Sequence, residues 1–215
     1  MNDAPVFLVT YPRSGHHALM YFLSALSKSI ASDYCEYYKC KGHDNTPISC
    51  PKEGLHAREK GFVCGAGRRI LKNHDFGLDL PVRQDWKYIV QYRHPIYSIE
   101  SWYKLERRNG RDMDFLDFFE EKLDFWKKFI ERWVIGSAAR ENVLLMPYEK
   151  LGDVDRLLSA SRFIGVGNVN VTALGDGYFR PKSGLDFLLP KEVYRDTEGR
   201  LEELLYAAGL SPILR

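Results

Sequence analysis

At 215 residues and 45% apolar side chains, the chain can bury one substantial core, and a single domain spanning 1–215 is expected. Its 31 basic and 29 acidic residues leave a formal charge of +2, too even a balance for a general binder of nucleic acid or of a membrane surface. No apolar run approaches the ~20 residues needed to span a bilayer, and the N-terminus lacks a charged segment leading into an apolar one. A soluble, cytoplasmic protein without a transmembrane segment is the expectation.

In chain order, Val6 to Thr10 is a β-branched and apolar run, followed by a Pro-Arg-Ser-Gly turn and by Leu19, Phe22, Leu23, Leu26 and Ile30 at helical spacing. This is a strand, a tight loop and a helix. The region from about 32 to 68 is the least periodic part of the chain, with Gly, Pro, Asn and Lys scattered through it, and reads as a long insertion with little regular structure. Arg69 to His74 forms a short strand ending in a polar tip, and Trp86 to Arg93 has the near-continuous apolar character of a strand inside a parallel sheet. Pro95 sits in the first turn of a helix carrying Ile99, Trp102 and Leu105. Asp114 to Val134 is a long amphipathic helix whose stripe of Leu116, Phe119, Leu123, Trp126, Ile130 and Val134 belongs to the core. Val143 to Met146 is a further strand, Asp153 to Phe163 a helix, 165 to 185 loop, and Glu192 to Ala208 a terminal helix closed by Gly209. Strands alternating with helices predict an α/β fold of three layers, a central, mostly parallel sheet flanked by helices.

All four cysteines, Cys35, Cys40, Cys50 and Cys64, fall in the aperiodic region, with His43 and His56 among them. Structural thiols, one or two disulfides, and a zinc site of four Cys or of three Cys with His43 all fit this clustering. The paired CxxC spacing of zinc ribbons is absent.

In parallel sheets ligands bind outside the carboxyl ends of the strands. Polar groups gather at four such ends: Arg13-Ser14-Gly15, Lys72-Asn73-His74, Arg93, and Tyr148. The first loop presents N–H groups at a helix N-terminus, where an anionic group is favoured, and Arg13 adds a forked cation. It is not a Walker A loop, because it lacks the GxxxxGK[ST] spacing and the Lys-Ser/Thr pair that holds Mg²⁺. Arg93, with Pro95 two residues on and Ser101 eight residues on, places a guanidinium at a strand end and a hydroxyl two turns into the next helix, both within reach of one phosphate.

Together these segments resemble the sulfotransferases that use 3′-phosphoadenosine 5′-phosphosulfate (PAPS). The stretch Thr10 to Gly15, TYPRSG, is similar to the family's 5′-phosphosulfate loop. Tyr92 through Ser101 resembles its 3′-phosphate motif, and Lys72-Asn73-His74 its Lys-Thr-His segment. The helix with Phe125, Trp126 and Trp133, followed by Val143 to Leu151, resembles the family's helix and its strand with a Tyr-Glu-Asp ending. Phe179 to Gly184 looks like a loosened C-terminal Arg-Lys-Gly loop, the extra Pro181 leaving the assignment among Arg180, Lys182, Ser183 and Gly184 open.

The resemblance implies a sulfotransferase fold related to that of the P-loop NTPases, with PAPS as sulfuryl donor, 3′-phosphoadenosine 5′-phosphate (PAP) as product, and no catalytic metal. It assigns His74 as catalytic base, with Lys72 and Arg13 neutralising charge. Arg13, Ser14, Gly15, His16, His17, Arg93, Ser101, Tyr148 and the C-terminal four become nucleotide-binding candidates. The acceptor would be a hydroxyl or amine of a small molecule or glycan. Where the family loop commonly continues Thr-Thr-Trp, this chain has His16, His17 and Ala18, so hydroxyl contacts and the stacking aromatic are absent there. His16 and His17 are then candidates to approach the acceptor or to cap the helix, and Asp75 is a candidate to orient His74. Two other readings compete: a non-catalytic nucleotide-binding interaction module, and a small nucleotide-dependent kinase.

Overall fold

The computed structural model describes residues 4–35, 68–167 and 169–174. Strand β1 (Val6–Thr10) is followed by α1 (His16–Leu26), α2 (Lys28–Asp33) and a two-residue strand β2 (Tyr34–Cys35). Next come β3 (Ile70–Asn73), β4 (Lys87–Tyr92) and α3 (Pro95–Arg108). The long helix α4 (Phe115–Phe129) runs on into a π-helical turn (Ile130–Ile135), followed by β5 (Val143–Pro147) and α5 (Val154–Ile164). The five strands form one sheet in the order β2-β3-β1-β4-β5, every neighbouring pair parallel.

Both faces of the sheet are covered, as the unbroken apolar runs require. Alternate residues of β1 feed opposite cores: Val6 and Leu8 pack with Leu19, Leu23, Ile30 and Leu157 of α1, α2 and α5, whereas Phe7 and Val9 pack with Ile99, Phe119, Trp126 and Trp133 of α3, α4 and the π-turn. The strand β1 therefore delivers its chain to a helix on one face, and its neighbour β4 delivers its chain to the other. That divergence opens a crevice at the carboxyl ends of β1 and β4. The register brings these ends level, with Asn73 beside Val9, Gln91 beside Thr10 and Pro147 beside Tyr92.

Helix ends follow their local chemistry. Asp114 and Asp153 accept N–H bonds from the first turns of α4 and α5, Pro95 opens α3, and Gly165, at φ +96°, closes α5. The expected single helix through Ile30 is instead two, because Ser27 adopts extended backbone and Asn170 N–H takes over the Leu26 carbonyl. The expected insertion begins later than predicted, since α2 and β2 occupy its first residues; β2 is too short to carry a periodicity. The stripe of α4 is core as expected at Phe119, Trp126 and Ile130, while Leu116 stays exposed. Among residues 165–185, a 3₁₀ turn forms at Val171–Leu174. Cys40, Cys50, Cys64, His43, His56, the C-terminal loop with Arg180, Lys182, Ser183 and Gly184, and the expected terminal helix lie outside the described residues. Cys35 is buried in β2. Among the described residues, no helix is long and apolar enough to cross a membrane.

Candidate active site at the strand ends

The loop between β1 and α1 is held by Ser14, whose buried hydroxyl donates to the Tyr11 carbonyl at 2.6 Å and lies 3.2 Å from the Gln91 carbonyl. The Ser14 side chain thus closes the turn. Gly15, at φ +87°, stands at the helix start without a side chain to cap it. A Cβ there would lie 2.3 Å from Cδ2 of Tyr148, so glycine is required both for conformation and for the close approach of the ring. The intrahelical ladder begins with Leu19 N–H to the Gly15 carbonyl, 3.0 Å, and the N–H groups before it are those an α-helix leaves for other acceptors. Arg13, exposed and itself at φ +65°, donates from Nε to Ser101 Oγ at 3.0 Å. Ser101 and Arg13, predicted to serve different phosphates, are thereby neighbours across the crevice.

His74 emerges just past β3 and is oriented by β1. Its Nδ1 lies 2.7 Å from the Thr10 carbonyl and 3.1 Å from Thr10 Oγ1. A carbonyl only accepts, so Nδ1 carries the proton and Nε2 carries the lone pair, the arrangement a general base needs. Asp75 does not orient this ring. Its buried carboxylate instead accepts from Asp79 N–H (2.9 Å), Leu80 N–H (2.8 Å) and Trp133 Nε1 (2.8 Å), and lies 3.4 Å from Arg132 Nε. Asp75 staples the loop that follows His74 to the π-turn, and the extra residue in that turn sets Arg132 and Trp133 against it. Lys72 is buried on β3, two residues before His74, and its positive charge is felt at His16.

On the other bank, Arg93 is buried with its guanidinium 4.1 Å from the centroid of the Tyr148 ring and 5.6 Å from that of Tyr97. Burial pulls its pKa down and pushes that of Glu149 up, and burial together with Arg93 takes His94 down to about 4. Glu149 Oε1 accepts the His94 N–H at 3.3 Å and so holds the chain as it leaves β4.

Buried polar atoms without a hydrogen-bond partner concentrate here. Of nine such side-chain atoms among the described residues, six belong to His16 (Nδ1), Gln91 (Nε2 and Oε1), Arg93 (Nε), His94 (Nδ1) and Glu149 (Oε2). Each orphan costs about 1–3 kcal/mol. Gln91 Nε2 and Arg93 Nε among them are donors that suit an anionic partner, while Gln91 Oε1 and Glu149 Oε2 are acceptors.

No protein-family model matches the chain, and no curated protein matches it by sequence. Among solved structures, mouse sulfotransferase SULT7A1, crystallised as a complex with PAP, superposes with a TM-score of 0.69 at 18% identity, covering 99% of this chain and 87% of that one. The fold is that of the sulfotransferases. A sulfotransferase from Alicyclobacillus acidocaldarius aligns with a TM-score of 0.50 at 17% identity, over 94% of this chain and 96% of the bacterial one.

Within this sulfotransferase fold the structure brings Arg13, Ser14, Gly15, His16, Lys72, His74, Arg93, Ser101 and Tyr148 to one end of the sheet. His17 is exposed at the start of α1, its ring 5.8 Å from that of His16. Several neighbours escaped sequence reasoning. Tyr34 gave no signal, lying in the aperiodic stretch, and Thr10, legible as the strand end that opens the loop, gave none of its contact with His74. Gln91 did give one: a lone amide in the run Tyr-Ile-Val-Gln-Tyr is a polar residue where a core strand has no use for one.

Proposed function

We propose that this protein transfers a sulfuryl group from PAPS to a hydroxyl or amine of a small-molecule or glycan acceptor. The observation that carries the reading is the pairing of two anion-seeking positions across one crevice, the uncapped N-terminus of α1 with Arg13 and the buried Arg93 whose Nε has no partner among the described residues. A nucleotide with phosphates at both its 3′ and 5′ positions fits that pairing. The fold supports it too, and the mouse sulfotransferase was crystallised with PAP.

On this reading, the donor supplies the sulfuryl group, and the chain supplies position and charge. Arg93, braced by Tyr148, would hold the 3′-phosphate. The first turn of α1, Gly15 and Arg13 would hold the 5′ end, with Ser14 keeping the turn closed, and Ser101 would join Arg93 at the 3′-phosphate. Arg13 and Lys72 would offset negative charge as the bond to the leaving phosphate breaks. His74, with Nδ1–H held by Thr10, would take the acceptor's proton on Nε2. A sulfuryl group carries less negative charge than a phosphoryl group, which makes a bridging Mg²⁺ less necessary. Arg180, Lys182, Ser183 and Gly184 are proposed to complete the nucleotide site.

The test is ligand-dependent stabilisation. PAP should raise the melting temperature with chelator present, by about 3 kcal/mol of added stability at a hundredfold excess over its dissociation constant. A shift with ATP that requires Mg²⁺, and none with PAP, would replace this reading with the kinase.

A further inference from the structure

Phe76 stands out into solvent, 56% exposed, two residues beyond His74. A single exposed phenylalanine needs no explanation, but this one is continuous with other rings. Its centroid lies 5.3 Å from that of His74, 6.0 Å from that of Trp102 on α3 and 6.0 Å from that of Phe125 on α4, the last pair tilted by only 27°. Trp102 and Phe125 are half-buried and are backed by the buried Tyr11, 6.1 Å and 5.4 Å away. An aromatic ledge thus begins at the imidazole of His74 and runs out to α3 and α4.

The chain holds this ledge in place. Asp75 adopts φ +44° and Leu78 φ +50°, left-handed conformations that a residue with a side chain takes up at a cost. Around Phe76 the turn is tied down: Asp75 N–H donates to Asn73 Oδ1 at 2.6 Å, Leu78 N–H donates to the Asp75 carbonyl at 2.9 Å, and the Asp75 carboxylate accepts from the N–H groups of Asp79 and Leu80. Folding gives no reason to strain a turn so that a phenyl ring meets water. A ligand that covers the ring does.

What the ledge offers is ring faces. Trp102 Nε1 donates to Glu106 Oε1 at 3.0 Å, Ser101 Oγ accepts from Arg13, the Tyr11 hydroxyl donates to the Lys122 carbonyl, and Lys122 Nζ, 4.8 Å from the Trp102 centroid, donates to Glu121. The hydroxyls of a sugar need polar partners, and these side chains are engaged with one another, whereas a flat ring needs only the faces. A phenolic hydroxyl, with a pKa of about 10, also gives up its proton to an imidazole more readily than an aliphatic alcohol does.

We infer that Phe76 is an acceptor-binding, specificity-determining residue, and that the acceptor is a phenol whose ring lies on this ledge with its hydroxyl at His74 Nε2. The inference rests on the sulfotransferase reading and narrows its acceptor to an aromatic alcohol. In the reaction the phenolic oxygen forms the new bond to sulfur, the bond from sulfur to the 5′-phosphate oxygen breaks, and the proton passes to Nε2.

Three probes test it: 2-naphthol, its saturated counterpart decahydro-2-naphthol, and methyl glucoside. Calorimetric titration of 2-naphthol into the PAP-bound wild type should show binding. Phe76→Ala should weaken that binding roughly tenfold, with PAP affinity within about twofold and an unchanged melting temperature, since the ring is exposed. Phe76→Tyr, which keeps the ring, should recover most of the affinity, and Phe76→Leu, which keeps apolar bulk alone, should recover little. With labelled PAPS, kcat/KM for 2-naphthol should exceed that for either other probe at least tenfold, and Phe76→Ala should lower it mainly through KM. Unchanged 2-naphthol affinity in Phe76→Ala, full recovery by Phe76→Leu, or preferred sulfation of decahydro-2-naphthol or methyl glucoside would each overturn the inference. Parallel loss of PAP affinity in every Phe76 variant would make the residue structural and overturn it too. A wild type that does not bind PAP would defeat the sulfotransferase reading and this inference with it, whereas PAP binding without 2-naphthol binding would defeat this inference alone.

Discussion

His74→Ala should lower turnover roughly 10²- to 10⁴-fold while the dissociation constant for PAP stays within a few-fold. The expectation follows from how the ring is held. The Thr10 carbonyl fixes the proton on Nδ1 at 2.7 Å, and Nε2 keeps the lone pair that would receive the acceptor's proton. The groups proposed to hold the nucleotide, at the start of α1 and at Arg93, do not depend on that ring. His74→Asn sharpens the test, because the asparagine amide can still donate to Thr10 but offers no base. It should lose turnover as the alanine variant does and retain the melting temperature of the wild type. Near-normal turnover in either variant would move the base elsewhere, with His17 or His16 the first to be tested. Loss of folding and of PAP binding together would make His74 a structural histidine.

Arg93→Ala should weaken PAP binding by about 1.5–3 kcal/mol, roughly ten- to a hundred-and-fifty-fold, the range for a charge-assisted hydrogen bond lost from a buried site. Arg93→Lys should recover only part of this, because an ammonium on a flexible stem cannot keep both the stacking on Tyr148 and a forked pair of bonds to phosphate. The loss should vanish when the ligand is AMP, which has no 3′-phosphate. Equal weakening of PAP and AMP would mean that the substitution disturbs the crevice as a whole, and unchanged PAP affinity would remove Arg93 from the 3′-phosphate position.

The α/β architecture was legible because four of the five strands are buried on both faces or nearly so and therefore stand out as apolar runs. The strand ends were legible because polar residues interrupt those runs abruptly at Arg13, Lys72, Arg93 and Tyr148. Short-range apolar patterning could not reveal main-chain partners, which is why Asp75, adjacent to His74 in sequence, was a candidate to orient it, while the Thr10 carbonyl on a neighbouring strand does so. Asp75 lies beyond the end of β3 with φ +44°, and its carboxylate turns toward Trp133 and Arg132 of the π-helical turn. Tyr34 and the two-residue strand that carries it were illegible for a related reason. An element that short has no period, and its meaning comes from the partner strand and from His16, whose Nε2 meets the Tyr34 hydroxyl at 2.5 Å. The break at Ser27 likewise depends on a distant segment, since Asn170 N–H supplies the partner for the last helical turn.

The most direct test of the central claim is incubation of the wild-type chain with PAPS carrying a labelled sulfuryl group, in the presence of chelator and a panel of phenols, aliphatic alcohols, amines and glycans, with products followed by mass. The account predicts labelled sulfate ester or sulfamate on at least one acceptor, with equimolar PAP released, and loss of both products in His74→Ala. PAP bound tightly by the wild type, with no labelled acceptor and no PAP release across the panel, would contradict it and leave a nucleotide-binding module.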